Sequence, residues 1–338
     1  MDPQPGRSRE THPGHRSPAR RARREEAGRA RGPLGGRIGV TITPWGTRGS
    51  LSAPGPETAR YGGNTACVEV RGDDGTLLVL DAGTGIRRLG VSLEESPRVE
   101  NPPPRADILL THLHMDHIQG LGFFGPLYDP NVEIHIWGPA SATRPLRARL
   151  TRYLSPPLFP VHLRSLPSQL TLHEVPKEDL EVGRFRVTSA YVCHPGPTVG
   201  FRIETPDGVI AYLPDHEPAL GVREFPADPE WTSGYSIAKG ADLLIHDAQY
   251  TDEEYATHVG WGHSSVSQVA AFAELAEAKH VVLFHHDPVR ADEELEVILA
   301  ESNRRNHGST VTMSIAAEER SYTLEKGELR IEPLPAPA

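Results

Sequence analysis

The run Thr111-His112-Leu113-His114-Met115-Asp116-His117 constrains this chain more than any other feature. It directly follows the apolar stretch Asp107–Leu110, so it begins where a short strand would end. Four residues with metal-binding side chains fall within six positions. With His and Asp each at about 5%, these offsets arise by chance in roughly two chains per thousand of this length. Side chains two apart on an extended segment project to the same side, so His112 and His114 can grip one cation. Asp116 and His117, where the chain enters a helix, are placed for a second. Imidazole and carboxylate together suit Zn²⁺, with Mn²⁺ and Fe²⁺ as alternatives. The competing reading is a polar turn whose histidines only form hydrogen bonds.

Around this run the pattern predicts layered α/β structure. Ile38–Ile42 and Ala66–Val70 alternate as half-buried strands do, and Leu77–Leu80 is a short apolar strand. A Gly/Pro-rich loop through Gly46 to Pro56 follows the first of these. Further strands are expected at Val132–Trp137, Thr171–Val175, Phe185–Val192, Val199–Ile203, Val209–Leu213, Ala241–Ile245, Val281–Phe284 and Thr310–Ile315. Helices are expected at Ile86–Leu93, Pro145–Leu154, Glu230–Ala238, Ser267–Ala276 and Glu293–Asn303. The proline-rich passage Ser155–Pro167 reads as a lid or a connection.

Charge divides the chain in two. Residues 1–37 carry ten arginines against Asp2, Glu10, Glu25 and Glu26, a net of +6. Since the whole chain carries −10, the other 301 residues carry −16. The first 37 residues also hold six glycines and five prolines, and Leu34 is their only large aliphatic after Met1. Such a segment cannot offset its ordering entropy by burial, so it reads as a disordered basic tail before a single folded domain at 38–330. No apolar stretch follows the arginine pairs as an export signal requires. No run of 18 apolar residues exists, which speaks against a membrane span. Two cysteines make no disulfide scaffold, and Cys67 and Cys193 fit reduced thiols of a cytoplasmic protein.

The ligand run is similar to the HxHxDH signature of the metallo-β-lactamase fold, a family of dinuclear metallohydrolases. The likeness extends from about residue 38 to 320. Leu80-Asp81-Ala82-Gly83 resembles the early strand end whose carboxylate supports the site from behind. Cys193-His194-Pro195-Gly196, Tyr212-Leu213-Pro214-Asp215 and Phe284-His285-His286-Asp287-Pro288 resemble the later ligand motifs. The resemblance implies a four-layer αβ/βα sandwich and two divalent ions, zinc first. His112, His114 and His194 would hold one ion, and Asp116, His117 and His285 the other. Asp215 would lie between them, and Asp81 would stand behind. His216 competes with Asp215, and His286 with His285, because neighbours on a strand point oppositely.

Gly262-His263-Ser264-Ser265, opening a helix, resembles the His-Ser/Thr motif of the ribonuclease Z and cyclic phosphodiesterase branch. The resemblance makes His263 a proton donor to the leaving oxygen, which suits an imidazole titrating near neutrality. Asp116 is the second catalytic candidate. Ser264, Ser265 and Asn64 are candidate substrate contacts, and Arg48 and Arg60 share with Asn64 a segment similar to phosphoribosyl cyclic phosphodiesterases. A plain helix cap is the alternative role for Ser264 and Ser265.

The function implied is hydrolysis of small or cyclic phosphodiesters through a metal-bridging hydroxide. The basic arm usual in ribonuclease Z has no clear counterpart, and an acidic body disfavours long polyanions. A tRNA 3′-processing nuclease, a lactone, thioester or β-lactam hydrolase, and a nucleic-acid-binding protein with a structural metal site are the alternatives. Monomer and homodimer both stay open.

Overall fold

The computed structural model describes residues 39–95, 104–177, 179–221 and 225–334. The expected basic tail at 1–37 and Ile38 lie outside the described residues. Fifteen strands in the described residues form two sheets. The first joins β1 (Val40–Gly46), β2 (Cys67–Gly72), β3 (Leu77–Leu80), β4 (Arg105–Leu109), β5 (Glu133–Pro139) and β6 (Gln169–Val175). The second joins β7 (Leu180–Val182), β8 (Phe185–Tyr191), β9 (Val199–Thr205), β10 (Gly208–Leu213), β11 (Leu243–Asp247), β12 (His280–Phe284) and β13 (Thr312–Ile315). β14 (Tyr322–Glu325) and β15 (Glu328–Ile331) return to the first sheet, in the order β15-β14-β1-β2-β3-β4-β5-β6.

Each sheet is antiparallel on one side and parallel on the other, with β3 to β6 parallel in the first and β10 to β13 in the second. The parallel strands need covered faces, and their sequences supply both. In β3, Leu77 and Val79 face an outer cluster while Leu78 and Leu80 face the other sheet. In β10, Ile210 and Tyr212 point inward while Ala211 and Leu213 point outward, and β12 repeats the division.

Helices close the two outer faces. α1 (Ile86–Glu95) and α3 (Leu146–Tyr153) pack on the first sheet through Ile86, Leu89, Leu146 and Leu150. Between them in the chain lies α2 (Met115–Ile118), a single turn that carries half of the ligand run. α4 (Tyr235–Ala238) and α6 (Val266–Leu275) cover the second sheet through Ile237, Val269 and Phe272. The short α5 (Asp252–Tyr255) precedes α6, and α7 (Asp292–Arg305) connects β12 to β13. The result is a helix–sheet–sheet–helix sandwich, as expected. Phe284, fully buried between the sheets, illustrates the scale: truncating such a ring to alanine costs about 3–5 kcal/mol.

Several expectations need correction. Glu230–Ala238 is not one helix. A 3₁₀ turn at Pro229–Trp231 and α4 are separated at Gly234, where φ is 73°. A Cβ at Gly234 would come within 2.7 Å of the His216 ring, so the backbone must pass where no side chain fits. Ser155–Pro167 is a packed connection and no lid, since Phe159, Leu163 and Leu166 are buried in the outer cluster. β1 runs on through Pro44 and Trp45 to Gly46, with an irregular register that accommodates the proline. β7, β14 and β15 were not expected. β14 and β15 meet at a two-residue turn, Lys326-Gly327, with both φ values positive. No helix among the described residues is long and apolar enough to cross a membrane.

Candidate metal and active site

Parallel strands of both sheets end at the same rim, and the polar residues collect there. Asp81 follows β3 with a left-handed φ of 58° and is fully buried. Its carboxylate accepts the Thr111 N–H at 2.8 Å, the Thr111 hydroxyl at 2.9 Å and the Tyr212 hydroxyl at 3.0 Å. His117 Nδ1 lies 2.9 Å from the same carboxylate. A proton on Nδ1 satisfies that contact, so the lone pair of Nε2 points the other way. Nε2 lies 2.9 Å from Asp215 Oδ1, 3.3 Å from Asp116 Oδ2 and 3.4 Å from His285 Nε2.

These lone pairs repel unless a positive charge sits among them. Burial alone would keep His117 neutral, but Asp215, Asp116 and Asp81 together push its pKa well above the ordinary histidine range. The site thus demands a cation or a proton at this spot. His285, at φ 59° just after β12, brings Nε2 to 3.2 Å from Asp116 and 3.3 Å from Asp215. Its Nδ1 is 3.0 Å from Gln249 Oε1, which orients the ring.

A second group forms from His112, His114 and His194. One donor atom from each falls within 4.8 Å of the others, and the same holds for Asp116, His117, Asp215 and His285. Asp215 faces both groups, with Oδ2 3.7 Å from His112 Nε2 and 3.8 Å from His194 Nε2. His112 Nε2 is buried and has no hydrogen-bond partner, an expensive state for a polar atom. Burial holds the pKa of His112 well below its usual value and also lowers those of His114 and His194. Neutral imidazole is the form that ligates. An orphaned buried nitrogen and a carboxylate placed between two imidazole sets fit divalent cations.

The two competing histidines point elsewhere. His286 turns away to Ala316 O, 3.0 Å distant, and His216 pairs with His246 at 2.9 Å, so neither faces the rim. His263 does face it. Its ring lies 4.9 Å from that of His285 and 5.1 Å from that of His194. Asp247, at the end of β11, contacts His263 Nδ1 at 2.6 Å. Burial opposes the imidazolium, but Asp247 outweighs it and lifts the pKa to about 9.

Other candidates have different occupations. Ser264 is buried and its hydroxyl donates to His216 O at 2.5 Å. Ser265 is the N-cap of α6, in a capping box with Gln268. The Asn64 amide donates to Glu318 at 3.0 Å. None of the three side chains is left free for substrate. Arg48 is wholly buried, donating to Gly62 O, Arg290 O and Asp292, and Arg60 pairs with Glu293 and Glu296. Gln249, Tyr212 and Glu217 were not singled out as site residues. Glu217, 1% exposed, accepts the Gly260 N–H at 3.0 Å, the Gly262 N–H at 2.9 Å and the Tyr255 hydroxyl at 2.7 Å. Gly262 O in turn holds His194 Nδ1 at 2.9 Å. Only the contact map exposes that chain of support.

Residues 76–286 match the beta-lactamase superfamily domain, most of the chain between the first sheet's centre and the end of the ligand motifs. The chain belongs to the beta-lactamase superfamily. Among its relatives in that superfamily is the ribonuclease Z of Thermococcus onnurineus, 25% identical over 252 residues, covering 62% of this chain and 76% of the relative. The ribonuclease Z of Brevibacillus brevis is 28% identical over 237 residues, covering 58% and 74%. Solved structures share the fold of this superfamily member. The metallo-β-lactamase fold protein YhfI of Bacillus subtilis aligns with a TM-score of 0.61 at 17% identity, over 85% of this chain and all of that one. The short form of human tRNase Z gives 0.56 at 22%, over 88% and all of that chain. The superfamily member is a metal-dependent hydrolase of the metallo-β-lactamase fold, similar in sequence to the ribonuclease Z relatives.

Proposed function

We propose that the protein is a dinuclear phosphodiesterase that hydrolyses small or cyclic phosphodiesters. His112, His114 and His194 are assigned to one cation and Asp116, His117 and His285 to the second, with Asp215 shared. Zinc suits this imidazole-rich set best. When bound, such a pair supplies Lewis-acid polarisation of the phosphoryl oxygens and a nucleophile from water at neutral pH. Asp81 holds His117 by its Nδ1 proton and so fixes which nitrogen faces the rim. Asp116 serves as ligand and as acceptor toward the attacking water.

The observation that carries the reading is the Asp247–His263 pair at 2.6 Å, beside both ligand groups. A histidine outside the seven proposed ligands, yet oriented by its own carboxylate, is suited to protonate a departing alkoxide. His263→Ala should retain two cations per chain and lose roughly 10²–10⁴-fold in turnover of a cyclic nucleotide, whose leaving group is a poor alkoxide that needs the proton. Wild-type turnover in that variant would remove His263 from the reaction.

An acidic body favours small substrates over long polyanions. The ribonuclease Z relatives favour a second reading, cleavage of precursor tRNA, and a panel running from cyclic nucleotides to precursor tRNA separates the two. Residues 38–330 are taken as the hydrolase domain and 1–37 as a dispensable extension. The free thiols of Cys67 and Cys193 suit the cytoplasm.

A further inference from the structure

We infer that Trp261 is a stacking platform that selects phosphodiesters bearing a flat aromatic ring, such as a nucleobase, on the alcohol side. The inference rests on the phosphodiesterase reading and names the kind of substrate it takes.

Trp261 is 60% exposed, an unfavourable place for so large an apolar ring unless something covers it in use. It stands two residues before His263 and next to Gly262, whose carbonyl holds His194. The metal-ligand cluster opens on this side, since His114 is exposed and so are Pro195 and Gly196, which follow His194. Met115, beside His114, is 50% exposed, and Leu51 is 60% exposed beside Ser50, whose N–H bonds Asp116. The cluster's mouth is thus edged by apolar side chains from three separate segments.

The Trp261 ring is held in place. The His258 ring lies 4.8 Å away, edge to face at 79°. His258 stacks on Tyr250 at 4.7 Å, and Tyr250 meets the His263 ring edge to face at 5.9 Å. Aromatic rings therefore run without a break from the proposed proton donor to the surface. Glu217 fixes the backbone on both sides of Trp261 by accepting the Gly260 and Gly262 N–H groups. A rigid, outward-facing aromatic ring beside an anion-processing site is what stacking recognition of a base requires.

The test compares binding of thymidine 5′-monophosphate and methyl phosphate to the metal-loaded full chain by calorimetry. Wild-type protein should prefer the thymidylate. Trp261→Ala should reduce that preference between about fivefold and about 150-fold, the range for losing one stacked base, and Trp261→Phe should restore most of it. No wild-type preference, or a preference that survives in Trp261→Ala, overturns the inference. The same proteins are then given the p-nitrophenyl esters of both phosphates. If wild type hydrolyses neither, the phosphodiesterase reading fails, while the binding comparison still decides the role of Trp261.

Discussion

Glu217→Gln is the substitution that most directly tests how the site is supported. One carboxylate oxygen of Glu217 accepts the Gly260 N–H and the Tyr255 hydroxyl, and the other accepts the Gly262 N–H. A glutamine can keep two of these contacts by placing its amide oxygen at the first position. Its NH₂ group then confronts the Gly262 N–H, donor against donor. A hydrogen bond to a charged group contributes about 1.5–3 kcal/mol, and the two retained bonds weaken as the charge disappears. The expected loss is about 3 kcal/mol, or roughly 5 °C in melting temperature for a domain of this size. Gly262 also loses its anchor, and with it the carbonyl that orients His194. Outer support of a ligating histidine is worth about 10–100-fold in metal affinity, and one further step removed should give the lower end, about tenfold. Thermal melts of the metal-free protein and zinc titration against a competing chelator measure the two effects separately. A variant with wild-type melting temperature and wild-type affinity for both cations would show that Glu217 supports nothing.

Three other outcomes are expected. Asp81→Ala leaves Thr111, Tyr212 and His117 without their shared acceptor; it should cost about 3–5 kcal/mol and weaken one cation selectively, which a urea titration and metal analysis will read. His280 is buried between Thr312 and Ser314, and burial, aided by Arg320, holds its pKa down at about 4. Its folded value lies below the unfolded value of about 6.5, so the folded state takes up its proton later than the unfolded one. Stability is therefore full above pH 6.5 and falls by about 3 kcal/mol as pH drops to about 4. His280→Gln should flatten that slope in denaturant melts, and an unchanged slope would place the titration elsewhere. Removing residues 1–37 should leave phosphodiester turnover within about twofold, since no step of the proposed chemistry draws on them.

The candidate site was legible in the sequence because its residues sit at strand ends in short runs. His112 to His117 share one turn, and Asp215 and His285 each follow an apolar strand that marks where the chain leaves the core. What could not be read was support across distance. Tyr212 looks like an ordinary inward strand residue until its hydroxyl reaches Asp81 from the opposite sheet. Glu217 follows a proline-flanked turn with no local sign that it collects three donors. Ser264 and Ser265 were ambiguous for the opposite reason, since the same residue types cap helices and contact anions. In the fold, the Gly234 break lay hidden because the obstacle, His216, comes from another segment. The β14–β15 turn uses Lys-Gly in place of the asparagine or aspartate that usually announces such hairpins.

The hydrogen bond from Tyr212 to Asp81 has one more consequence. Among the described residues the two sheets share no strand, and the core between them is apolar, with a few directional bonds such as that from the Gly327 N–H to Asp207 O at 2.6 Å. At the rim, directional bonds and proposed ligands from both halves meet on the same few atoms. Loading the site would then couple the two halves more tightly, with the reactive groups sitting at the fastening itself.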